Sequence, residues 1–138
     1  SRNQIMAIKE ESVTDQKNSL TVCLDNILRH AGITRNTEYD LAQGKTAIQI
    51  LEENMTGVQV LDLSGCSLDA VLYYVNQDIP VLAILEDGEA VLVTGFNEFN
   101  VVIMEPSTGK LYKKGMNDAT TWFAENGNHF ITYMRTEN

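Results

Sequence analysis

Residues 79–96 read IPVLAILEDGEAVLVTGF, two apolar runs rich in β-branched side chains on either side of Asp87-Gly88. Short apolar runs bounded by turn residues predict strands, and an Asp-Gly step between two of them predicts a hairpin. The expected strands are Val81 to Leu85 and Ala90 to Thr94. Val101 to Met104 and Lys110 to Lys114 repeat the pattern beyond turns at Asn97 to Asn100 and Pro106 to Gly109. Connections this short make consecutive strands antiparallel. Asn117 or Asp118 is then expected to cap a short helix carrying Trp122 and Phe123, and Phe130 to Met134 closes as a last strand.

Upstream of Pro80 the period is helical. Leu20, Cys23, Leu24, Ile27, Leu28 and Ala31 recur at i, i+3, i+4, i+7 and so form one apolar stripe. Asn18 or Ser19 can accept from the free first-turn amides, and Gly32 supplies a left-handed stop. Thr34 to Gly44 is polar and loop-like, with a helical turn near Glu38 to Ala42. Thr46 caps a second pattern through Ile48, Leu51 and Met55, Val58 to Leu63 reads as a strand, and Ser67 caps a helix with Leu68, Val71, Leu72 and Val75 on one face. Helices first and an antiparallel sheet afterwards predict an α+β fold, N-terminal helices packed on the sheet. Residues 1–18 read as an N-terminal arm or edge strand, and 19–138 as a single domain.

Composition bounds the function. The chain has 138 residues, 43% of hydrophobic type, enough for one core. Its net charge of −9 repels phosphate backbones, so nucleic acid is not an expected partner. No apolar run approaches the ~20 residues that span a bilayer, so no membrane segment is expected. Two cysteines, Cys23 and Cys66, lack zinc-site spacing, and neither a calcium loop nor a glycine-rich phosphate loop is present, so neither metal nor cofactor is expected.

Ile79-Pro80-Val81-Leu82-Ala83-Ile84, Ala90-Val91-Leu92-Val93-Thr94-Gly95-Phe96 and Glu105-Pro106-Ser107-Thr108-Gly109 together resemble a family of papain-like cysteine peptidases. These are the bacterial enzymes that process double-glycine (bacteriocin) leader peptides, with their many uncharacterised relatives. The likeness runs from Ser19 to Met134. In that family a catalytic His opens the strand ending Thr-Gly-aromatic, and an Asp-Pro-x-x-Gly turn supplies the residue that orients it. Here the first position holds Glu89 and the second Glu105. The nucleophile position, counted back from the helix end at Gly32, falls on Ser19, and the oxyanion-hole Gln position on Val13, with Gln16 nearer than the pattern allows.

The resemblance therefore implies a papain-like fold whose site positions Ser19, Glu89 and Glu105 lack the catalytic Cys and His. The expected function is a catalytically inactive module. It would bind an extended peptide or protein segment between helix and sheet, within a larger bacterial exported, surface or transporter protein on the extracytoplasmic side or anchored to a membrane. One alternative is an active cysteine peptidase using Cys23, and another a structural spacer without a ligand.

Elementary chemistry weighs these residues. A thiol attacks as the thiolate, which needs a cation or a helix N-terminus beside it. Cys23 lies a turn inside the helix on the apolar stripe, where packing is the simpler role, and Cys66 sits in a Ser-Gly-Cys-Ser turn with no base nearby. A Ser19 hydroxyl needs an adjacent base. Glu89 with Glu105 could share one proton, although a residue following Asp87-Gly88 is more simply a solvated hairpin side chain. His30 falls at a helix C-terminus, suited to a surface or capping role, and His129 opens the last strand.

Overall fold

A computed structural model of the chain describes Gln4–Ile5 and residues 18–136. Among the described residues there are seven strands, β1 Gln4–Ile5, β2 Val58–Asp62, β3 Val81–Ile84, β4 Ala90–Phe96, β5 Asn100–Glu105, β6 Lys110–Gly115 and β7 Phe130–Arg135. The helices are α1 Ser19–His30, α2 Glu38–Ala42, α3 Ala47–Asn54, α4 Leu68–Val75 and α5 Met116–Glu125. The fold is α+β, as its sequence predicts. All strands are antiparallel, in the order β2-β7-β3-β4-β5-β6, with β1 added to β4 at Gln4↔Phe96 and Ile5↔Gly95. Residues 1–3 and 6–17 of the expected N-terminal arm, Val13 and Gln16 included, lie outside the described residues.

The meander β3 to β6 follows from turn chemistry. At the first turn Gly88 has φ +85°, a conformation that costs a residue without a Cβ little. The Leu85 amide donates to the Glu89 carbonyl at 2.8 Å and the Glu89 amide to Asp87 Oδ1 at 3.0 Å, which closes the loop. The next turn is held by Asn97, whose Oδ1 accepts from the amides of Phe99 and Asn100, both at 2.8 Å. Pairing of β4 with β5 slips by one residue between Val93 and Gly95, so Thr94 is the bulged residue.

Uniformly apolar strands mean a sheet covered on both faces. Leu82, Leu92, Met104, Ile131 and Tyr133 pack with the stripes of α1 and α3. Their strand neighbours Val81, Ala83, Val91, Val93, Ile103 and Phe130 point the other way, against α4 and α5. Each Val, Leu, Ile, Met or Phe among them contributes about 1.5–3 kcal/mol on burial. The helices are signed as their sequences imply. Asn18 Oδ1 accepts from the Leu20 amide at 2.7 Å, Thr46 and Gln49 form a reciprocal capping box, and Ser67 Oγ accepts from the Ala70 amide. The polar stretch between α1 and α3 is pinned to α1 by Asp25, whose Oδ1 accepts from both the amide and the hydroxyl of Thr37.

One cap differs from expectation. α5 begins at Met116 with Gly115 as N-cap, and neither Asn117 nor Asp118 closes the helix end. β6 runs straight into the helix, and the Met116 amide is satisfied at 2.7 Å by the carbonyl of Phe99 in the neighbouring turn. A tertiary acceptor replaces the local one.

Candidate functional site

The N-terminus of α1 meets the sheet where β4 begins. Pairing of β4 with β5 reaches only Leu92↔Met104 before the chain turns away at Glu105-Pro106. The amide of Ala90 therefore stands beyond that ladder, and Ser19 Oγ accepts from it at 2.8 Å across a separation of 71 residues. A backbone donor at a half-buried site needs a partner, and a bond of this kind contributes about 1 kcal/mol net. Ser19 thus ties the first turn of α1 to the residue that follows Glu89.

Glu89 itself is exposed, in the hairpin loop preceding β4. Glu105 is half-buried at the end of β5, where its Oε1 accepts from the Ser107 amide at 3.0 Å and its carbonyl from the Gly109 amide at 2.8 Å. That turn orders the carboxylate. Its charge reaches two side chains. Burial raises the Cys23 thiol well above its ordinary range, with the Glu105 charge adding to the effect, and Tyr112 is raised in the same way, by burial first and Glu105 second. Ser19 and Ala90 meet at the start of α1, and one turn further along the helix Cys23 feels the Glu105 charge. Tyr112, opposite Ile103 on β6, is a neighbour of the Glu105 charge that sequence reading passed over. Its signal was the turn pairing of Glu105 with Lys110, which brings β6 alongside.

Cys23 is fully buried on the α1 stripe, whereas Cys66 is half-buried. The histidines lie elsewhere. His30, in the last turn of α1, is half-buried and points its Nε2 at Asp78. His129 is exposed, its carbonyl accepting from the Ile84 amide at 2.9 Å. Among the described residues no three His, Cys, Asp or Glu side chains gather to hold a metal ion, and no described helix is long and apolar enough to cross a membrane.

The state of Cys23 carries a pH dependence. Its folded pKa is raised, so the native chain keeps the proton where the unfolded chain begins to lose it. The stability linked to this group is full below about pH 8.5 and is lost as pH climbs towards the folded value. An aromatic disulfide reagent at pH 8 should titrate one thiol rapidly in the native protein, Cys66, and the second only in denaturant. Two thiols reacting at the same native rate would contradict the burial of Cys23.

A solved structure of a Bacillus anthracis protein, assigned as a C39-like peptidase, matches this chain with a TM-score of 0.82. The match covers 100% of both chains at 14% sequence identity. No family model and no curated protein matches. Similarity at this level establishes a C39-like, papain-like fold and leaves the chemistry to the residues themselves.

Proposed function

We propose that residues 19–138 form a papain-like domain without peptidase activity, a module that holds an extended peptide or protein segment between α1 and the sheet. Its setting in this reading is a larger bacterial exported, surface or transporter protein. The observation that carries the reading is the hydrogen bond from the Ala90 amide to Ser19 Oγ. It supports the reading because it joins the hydroxyl that opens α1 to the β4 residue following a carboxylate, Glu89, at the position where the resembled family carries an imidazole.

A serine hydroxyl without a base does not attack a peptide carbonyl at a useful rate. Burial supports the same reading for the other candidate nucleophile, since the Cys23 thiol stays protonated near neutral pH. Two carboxylates do not replace the missing cation, because neither Glu89 nor Glu105 can stabilise a thiolate by charge. What remains is a surface formed by a helix end and a strand start.

The test is a peptide carrying a thiol-reactive electrophile, run beside calorimetry with a library of extended peptides. The expected outcome is no covalent adduct together with binding heat in the low micromolar range, about −8 kcal/mol. A stoichiometric adduct on Cys23, abolished by Cys23→Ala, would establish an active thiol peptidase instead. Silence in both assays would leave a structural spacer as the better description.

A further inference from the structure

The opposite end of α1 borders a cleft of about 630 Å³. Eleven helical steps of 1.5 Å place it about 16 Å along the axis from Ser19. Its volume falls in the range of small-molecule sites, roughly 300–1,000 Å³. Ile33, Met55 and Val58 give it an apolar wall, while Asp78, Arg135 and Tyr133 supply polar groups.

These polar groups are held in place. Asp78 follows α4 in a left-handed conformation, φ +66°, which is uncommon for a residue other than glycine and is tolerated by Asp and Asn. His30 Nε2 lies 3.0 Å from the Asp78 carbonyl oxygen and 3.4 Å from its Oδ2. Because a carbonyl can only accept, Nε2 carries the proton and the ring fixes the turn. Arg135 donates through one guanidinium nitrogen to the Gln77 carbonyl at 3.2 Å, which anchors the cation beside the same turn. Tyr133 feels both charges, Asp78 and Arg135 pushing its phenol in opposite directions while burial dominates and keeps it neutral.

We infer that this cleft binds a small apolar zwitterion of amino-acid or dipeptide size, its carboxylate on Arg135, its ammonium on Asp78 and its side chains against Ile33, Met55 and Val58. A neutral apolar ligand would cover two opposite charges and pair neither. A simple anion or cation gains one rim group and is repelled by the other. The negative end of the α1 dipole, at His30 and Ala31, adds to the preference for an ammonium on the Asp78 side.

The test uses the full chain, with L-leucine and L-leucyl-L-leucine titrated by calorimetry and by amide chemical shifts. At least one should bind, with shifts at His30, Asp78 and Arg135. Acetylating the amine or amidating the carboxylate should weaken that ligand tenfold or more, as should Arg135→Met and Asp78→Asn, the latter retaining a residue that accepts the left-handed turn. The blocked ligands need no variant, so a folding defect cannot mask the result. Absence of binding at millimolar concentration, equal binding of the blocked forms, or shifts confined to Ser19 and Ala90 would overturn the inference. The last outcome would assign the ligand to the peptide-binding surface proposed above.

Discussion

Ser19→Cys combined with Glu89→His, in a Cys66→Ser background, is expected to create a thiol whose alkylation profile turns over about two pH units below that of a free cysteine. Three features at the site favour the thiolate. Residue 19 opens α1, so the positive end of the helix dipole faces it. The Ala90 amide that donates to the serine hydroxyl at 2.8 Å can donate to a sulfur anion instead. An imidazole at position 89, beside Glu86 and Asp87, is biased towards its charged form by those carboxylates. A fall in thiol pKa from about 8.5 to about 6.5 multiplies the thiolate fraction by roughly 90 at pH 5.5. Lower intrinsic nucleophilicity takes back about eightfold, which leaves a rate gain of about tenfold at that pH. Ser19→Cys alone should show the smaller shift of a helix terminus without a cation. If the double variant follows the single one at every pH, residue 89 does not face residue 19 and the proposed placement of the site fails.

The elements that bring these two positions together were legible in the chain for local reasons. The stripe from Leu20 to Ala31, with Asn18 before it and Gly32 after it, specifies α1 without reference to the rest of the fold. Asp87-Gly88 between apolar runs likewise specifies the β3–β4 hairpin. The runs from Val81 to Ile84 and Ala90 to Val93 lack polar alternation, as a sheet covered on both faces requires, whereas only N-terminal helices packed on the sheet were expected. Features decided by distant partners were not legible. The start of α5 depends on the Phe99 carbonyl, and the amide that Ser19 serves lies 71 residues away. Nor does any local signal place β7 between β2 and β3, or set Asp78 near Arg135 at the end of α1. Individual side chains such as Tyr133 and Asp78 look ordinary until the topology makes them neighbours.

Phe130→Ala is expected to remove about 3–5 kcal/mol, a large share of the 5–15 kcal/mol typical of a folded domain. Phe130 is fully buried at the head of β7, and its ring meets Phe123 of α5 edge to face with centroids 5.3 Å apart. Phe123 in turn packs on Trp122, over which Lys114 Nζ sits at 4.9 Å, so the cavity would open beneath a connected aromatic group. β7 is also the strand through which β2 joins the sheet, with Phe130 paired to Ala83 of β3 and the following residues paired to β2. Loosening its head weakens both attachments at once. Met134→Ala, four residues on in the same strand but 39% exposed, should cost less than about 1 kcal/mol. Urea unfolding of the two variants measures the difference. Equal midpoints would mean that the α4 and α5 face collapses around the missing ring. A wide gap would show that the α4 and α5 face of the sheet carries a large share of the stability of the fold.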